Sequence, residues 1–246
     1  MYILAMETTG AHGSVALLDE QNNICGFKVS KDPMSHLKNL ILMVAELLED
    51  TGVAKSQIAY VAASQGPGSF TGIRIGVSTA RALCQSLGVK GIAVPTMEGF
   101  LAKPEAIAAK DAGKVCCAII NARRGQVYGV VDGYMEPRAC MLTDVLDAVL
   151  GRIFSEGKEV LFFGDGIDAY QKQIEEALDG KGKYTFADEE YRYQDAASVA
   201  KLAFQMKEGG ETISYEEFFP EYMRKAEAEQ KLAAGQLPIC KGPKQE

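Results

Sequence analysis

Histidine is nearly missing from this chain: of 246 residues only His12 and His36 are histidines. They are too far apart for the H-E-x-x-H or H-x-x-x-H spacings that hold a hydrolytic zinc. No cysteine pair stands at C-x-x-C spacing. The six cysteines, Cys25, Cys84, Cys116, Cys117, Cys140 and Cys240, are read as small buried hydrophobes in a reducing cytosol. Long apolar runs are also lacking, since none reaches the ~18 residues of a membrane-spanning helix. The N-terminus, Met1-Tyr2-Ile3-Leu4-Ala5-Met6-Glu7, has no basic region and meets an acid after a very short apolar stretch, unlike a secretory signal. A cytoplasmic protein with no membrane partner is expected. Positive charge is in deficit, with 26 Lys and Arg against 33 Asp and Glu, a net charge of −7. That balance argues against nucleic acid as the main direct ligand. The phosphate loop G-x-x-x-x-G-K-[ST], the dinucleotide fingerprint G-x-G-x-x-G and the nucleophile elbow G-x-S-x-G do not occur.

What is present is the composition of a folded domain, 47% hydrophobic and 24% charged, in an ordered run of elements. Residues 2–8, Ser14–Leu18 and Ile24–Ser30 read as three short antiparallel strands joined by polar turns. Pro33 opens a helix from about Met34 to Asp50, stopped by Gly52. A strand near Ile58–Ser64, a helix from about Thr71 to Leu87, a strand at Ile92–Val94 and a helix beginning at Thr96 follow. A similar order restarts near Lys114: Val115–Asn121, Gln126–Asp132 and Met135–Met141 as strands, and Leu142–Leu150 as a helix. Then come strand Val160–Phe163, helix Ile167–Leu178, strand Tyr184–Ala187 and helix Ala196–Glu208. The expectation is an α/β chain of two similar β-β-β-α-β-α lobes, residues 1–102 and 103–234, joined near 101–113. A polar tail, 235–246, is expected to fray.

The most specific segment runs Gly66-Pro-Gly-Ser-Phe-Thr-Gly-Ile-Arg-Ile-Gly-Val-Ser-Thr-Ala-Arg81. A loop of this kind before a helix could hold an anion on free backbone N–H groups. A tight strand-to-helix connection with a Ser or Thr cap explains it as well. Together with Ile3-Leu4-Ala5-Met6-Glu7-Thr8-Thr9, Asn121-Ala-Arg-Arg-Gly-Gln-Val-Tyr128, Phe163-Gly-Asp-Gly166 and Pro220-Glu-Tyr-Met-Arg224, it resembles the bacterial TsaB (YeaZ) family. The resemblance covers nearly the whole chain and is strongest in the first 100 residues. It departs at Glu7, where the family usually has Asp, and at Asn121 and Gln126, where it usually has Asp and Glu.

The resemblance implies the actin-like fold, with a mixed five-stranded sheet in each lobe. It also implies a subunit of the machinery that places threonylcarbamoyl on N6 of adenosine 37 in tRNAs reading A-starting codons. The partners implied are the catalytic paralogue TsaD and the ATPase TsaE, with self-association when alone and tRNA contact only through the complex. Catalytic relatives carry Asn-His-x-Glu-Gly-His, whose histidines bind a metal. Here the segment reads Pro95-Thr96-Met97-Glu98-Gly99-Phe100, so Thr96 and Phe100 replace both imidazoles. A phenyl ring has no lone pair to donate, and a neutral hydroxyl substitutes poorly. No catalytic residue, metal site or cofactor is therefore expected. A weak residual nucleotide or anion site could remain at Glu7, Thr8, Thr9, Gly66, Gly68 and Ser69.

Helix patterns suggest a docking face instead. In the first helix, Leu37, Leu40, Ile41, Val44 and Leu48 form the expected core stripe at about 100° per residue. Met43, Leu47 and Ala45 widen it to about twice the arc a one-sided helix needs, and Leu42 stands apart near the polar side. In the second helix, Ile73, Val77, Ala80, Cys84 and Leu87 should meet the sheet. Gly72 and Gly76 would admit either another backbone or close packing within the lobe. The expected partner interface comprises His36, Asn39, Leu40, Met43, Leu47, Gly72, Ile75, Gly76, Thr79 and Leu83. The expected function is a non-catalytic scaffold of the transferase. The alternative is an enzyme in its own right, a metallopeptidase or small-molecule kinase of the same fold. A third reading, the transferase itself, is opposed by the missing histidines and the short second lobe.

Overall fold

A computed structural model describes residues 1–30 and 36–224, the side chains of 36–38 excepted. The expected helix start at Pro33 and Met34, the side chains of His36 and Leu37, Cys240 and the tail 235–246 lie outside the described residues.

Two five-stranded sheets repeat one topology. In the first, β1 (Tyr2–Glu7), β2 (Ser14–Leu18) and β3 (Ile24–Val29) form an antiparallel meander. After α1 (His36–Thr51), β4 (Ile58–Gly66) adds parallel to β1. After α2 (Phe70–Leu87), β5 (Lys90–Pro95) adds parallel to β4. The spatial order is β3-β2-β1-β4-β5. Then α3 (Thr96–Leu101) and α4 (Pro104–Asp111) lead to the second sheet. It comprises β6 (Val115–Asn121), β7 (Gln126–Val131), β8 (Met135–Met141), β9 (Val160–Phe163) and β10 (Tyr184–Phe186). Its order, β10-β9-β6-β7-β8, has the same antiparallel and parallel pairs in the same places. Between these strands lie α5 (Leu142–Ala148) and α6 (Gly166–Leu178), and after β10 come α7 (Glu189–Arg192) and α8 (Ala196–Glu208), the last α-helix among the described residues. This doubled arrangement is the actin-like fold.

The central strands are apolar on both faces because both faces are covered. Leu4, Met6, Val61 and Ala63 meet Ile73, Val77 and Ala80 of α2 and Leu40 and Val44 of α1. On the reverse face, Ile3, Ala5, Ala16, Ala62 and Ile92 meet Ala196, Val199, Ala200 and Ala203 of α8. Small residues on both sides let helix and sheet approach closely. Edge strand β3 instead alternates half-buried with exposed residues, and its Lys28 ion-pairs with Asp50 at 2.8 Å.

The chain crosses between the halves. Although α8 follows the second sheet in sequence, it packs on the first. In exchange, Met97 and Phe100 of α3 and Ala106 and Ala109 of α4 pack against Cys116, Ala118, Ile120 and Tyr128 of the second sheet. The boundary drawn at 102/103 thus divides the sequence but not the packing. Residues 101–113, expected as a joint, hold α4. After α8 the chain remains with the first lobe: Gly91 and Ile213 exchange two 2.9 Å backbone hydrogen bonds, and Phe218 is fully buried in the core beneath α2. Cys25 also departs from expectation, being exposed on β3, whereas Cys84, Cys116, Cys117 and Cys140 are buried.

Candidate functional site

The carboxyl ends of β1, β4 and β5 and the entry to α8 meet between the sheets, where open α/β folds usually place a ligand. Here their side chains close in on one another. Glu7, at the end of β1, is 1% exposed and accepts hydrogen bonds from the Ser64 hydroxyl and the Thr9 backbone N–H. Burial raises its pKa above the ordinary carboxylate value, and the hydrogen bonds only partly offset this. Lys103, following α3, is buried and pairs with Asp195. Asp195 also caps α8, accepting from the Ser198 N–H at 2.7 Å and from its hydroxyl at 2.9 Å. The space left among Glu7, Ser64, Thr96, Lys103 and Asp195 is about 10 Å³, room for about one water.

Thr96 and Phe100, the positions expected to stand in for metal-binding histidines, offer little to a metal. The Phe100 ring is 1% exposed in the core beneath the second sheet. The Thr96 hydroxyl is buried without a hydrogen-bond partner, and a lone neutral oxygen is a weak ligand.

The expected anion loop is brought together, and the N–H groups of Thr9, Ser69, Gly72 and Ile73 are engaged within the protein. Ser69 N–H donates to the Thr9 carbonyl at 2.9 Å, the Ser69 hydroxyl accepts from Gly72 N–H at 3.3 Å, and Ile73 N–H donates to the Ser69 carbonyl. A Cβ on Gly68 would stand 2.6 Å from the Thr9 Cβ, and one on Gly66 2.3 Å from the Glu221 carbonyl oxygen. These glycines admit neighbouring chain. The Thr9 hydroxyl is buried beside the Glu7 carboxyl.

The docking face needs correction. Leu40, Met43, Val44, Leu47 and Leu48 form the buried stripe of α1, while Ile41 and Leu42 are 54% and 60% exposed. The predicted stripe was rotated from the real one, so Leu40, Met43 and Leu47 belong to the core. Gly72 and Gly76 also face inward. A Cβ on Gly72 would stand 1.9 Å from the Thr8 carbonyl oxygen, and one on Gly76 2.4 Å from the Thr8 hydroxyl. That hydroxyl donates to the Gly72 carbonyl at 2.7 Å. The two glycines therefore seat α2 on the end of β1. Asn39, Ile75, Thr79 and Leu83 are half-buried, Ile75 and Leu83 lying at the margin of the core. With Ile41 and Leu42 they leave an apolar seam on α1 and α2.

Comparison with known proteins places this geometry. The family model described as "TsaD: tRNA N6-adenosine threonylcarbamoyltransferase" matches residues 30–232. The tRNA threonylcarbamoyladenosine biosynthesis protein TsaB of Bacillus subtilis (strain 168) is 30% identical over 244 residues, 96% of this chain and 100% of the relative. The chain belongs to the TsaB family. The TsaB of Escherichia coli (strain K12) is 27% identical, over 94% of this chain and 98% of that one. The solved structure of YeaZ from Pseudomonas aeruginosa superposes with a TM-score of 0.68 at 25% identity, covering 90% and 99% of the two chains. The TsaB family serves threonylcarbamoyladenosine biosynthesis on tRNA.

Proposed function

We propose that the chain is a non-catalytic subunit of the tRNA threonylcarbamoyl transferase, acting by heterodimerising with the catalytic paralogue TsaD through the outer flanks of α1 and α2. The observation that supports this reading is how little space remains at the carboxyl ends of β1, β4 and β5. Where a catalyst of this fold needs an open pocket, Glu7, Ser64, Thr96 and the Lys103–Asp195 pair leave about 10 Å³. Ligand pockets are typically hundreds of Å³. The working surface is then the apolar seam of Ile41, Leu42, Ile75 and Leu83. A paralogue of the same fold offers a matching helix pair, and two such pairs can pack as a four-helix seam. The ATPase TsaE joins the assembled pair, and the free chain self-associates through the same seam. No cofactor is required.

The test is reconstitution of the tRNA modification with purified components, this chain added or omitted. Activity is expected only when both the chain and the catalytic paralogue are present. Co-elution with the paralogue should be lost for Leu42→Glu and Ile75→Glu. Acyl transfer by the chain alone would overturn the reading, as would undiminished co-elution of both folded variants.

A further inference from the structure

Helix α2 has two unlike flanks. Ile75, Thr79 and Leu83 lie on the α1 side. On the opposite side lie Phe70, Arg74 and Arg81, spaced i, i+4 and i+11, and along them runs the strap 218–224. The strap's Phe219 and Tyr222 rings are 59% and 41% exposed. The Arg81 guanidinium lies 5.3 Å from the Phe219 ring centre. Arg74 donates to the Tyr222 hydroxyl at 2.8 Å, and Phe70 stacks on Tyr222 with ring centres 5.0 Å apart and 13° between planes. The strap then crosses to the second lobe, where Arg224 donates to the Ala122 carbonyl at 2.5 Å. The next two residues, Arg123 and Arg124, form the exposed tip of the β6–β7 hairpin, with φ of 63° and 56°. Non-glycine residues rarely hold that conformation twice in succession, and it is retained where surroundings or function demand it.

Five of the chain's eight arginines thus follow one line: Arg81, Arg74, Arg224, Arg123 and Arg124. The strap's one acid, Glu221, is turned aside to accept from Gln65 at 3.0 Å. Phe219 to Arg224 alone spans up to roughly 17 Å of extended chain. Guanidinium groups interleaved with exposed rings are the chemistry that takes phosphates and stacked bases together. A local run of this kind is invisible in the net charge of −7.

We propose that the line Arg81–Arg74–Tyr222–Arg224–Arg123–Arg124 is an RNA-binding stripe by which the chain itself holds tRNA beside the helix seam. The proposal rests on the reading above only for the identity of the paralogue at that seam. Side-chain chemistry selects RNA: guanidinium groups alternating with exposed rings suit a chain of phosphates and bases better than an apolar protein face. The position selects it too, because the same helix carries the seam on its other flank, so RNA on the stripe lies next to a docked catalytic subunit.

The probe is an unmodified tRNA transcript reading an A-starting codon, titrated across a salt series against the full-length chain, alone and with the paralogue. R123Q/R124Q is expected to weaken binding about tenfold and to make the slope of log K against log[salt] shallower by about 1.5, two phosphate contacts being lost. R123K/R124K should restore the slope, and Tyr222→Ala should weaken binding with the slope intact. A change in slope is not produced by a merely structural strap. Unchanged affinity and slope in folded R123Q/R124Q would overturn the proposal. So would absence of tRNA binding in both arms, or loss of paralogue co-elution with tRNA affinity unchanged, which would make the stripe a protein interface. Failure of the seam is read separately, since Ile75→Glu leaves the arm without paralogue intact.

Discussion

Gly72→Ala carries the highest expected cost of any single methyl added to the first lobe. The new Cβ would press on the Thr8 carbonyl oxygen, a backbone atom that cannot swing away. A destabilisation of about 3 kcal/mol is expected, visible as a lower urea midpoint with an unchanged slope. Glu7 offers a second test. Its carboxyl is buried with its pKa raised, so the native state holds its proton more tightly than the unfolded chain does. Stability is therefore lost as pH rises from the unfolded value of 4.5 through the raised native value. Glu7→Gln removes that titration. Its stability relative to the parent should increase with pH over this window and then level off, as followed by denaturation at several pH values. A relative stability of Glu7→Gln that stays flat, or that falls as pH rises, would contradict burial as the dominant influence. The sequence contained both residues but not their neighbours. Spacing alone left Gly72 and Gly76 open between docking and close packing, and only Thr8, some sixty residues earlier, decides for packing.

Helices were legible as elements and less legible as faces. The β-β-β-α-β-α order repeats in the structure much as periodicity and turn residues suggested, and α2 begins at the Ser69 cap and ends at Gly88 in the left-handed conformation, with φ 68°. The buried face of α1 is ambiguous in the sequence for a definable reason. Residues 37, 40, 41, 44 and 48 and residues 40, 43, 44, 47 and 48 both satisfy a helical stripe, and with so many apolar side chains the pattern does not choose. Lys28 on β3 makes the choice, tethering Glu46 and Asp50 on one flank. Two substitutions separate the readings. Leu42→Glu, at an exposed position, should change stability by no more than about 0.5 kcal/mol. Met43→Glu would bury an unpaired carboxylate and should prevent folding. Circular dichroism melts of the two variants decide it, and a folded Met43→Glu would mean the helix is turned the other way. The strap had no periodic signal at all. Its anchoring comes from one buried ring, Phe218, and from aromatic contacts with α2, none of which spacing reveals.

At the scale of the whole molecule, the Lys103–Asp195 pair joins the entry of α4 to the entry of α8. Lys103 is 4% exposed and Asp195 23%. Asp195→Ala would strand a buried ammonium and remove a helix cap, at a cost of about 3–5 kcal/mol, or roughly 10 °C in thermal midpoint for a chain this size. Adding Lys103→Met should recover part of that loss, because an apolar side chain of similar length needs no partner. No recovery in the double variant would place the cost in the cap instead.

The exchange of α3 and α4 for α8 bears on why the chain is as long as it is. A chain whose first sheet is complete within the first hundred residues could in principle discard the remainder. This one cannot, because its first sheet is roofed by a helix from near the far end of the polypeptide. Fragments 1–102 and 103–246 expressed separately would each present a bare apolar floor and should aggregate, yet form a soluble unit when produced together. The distal half is retained as the missing wall of the proximal one.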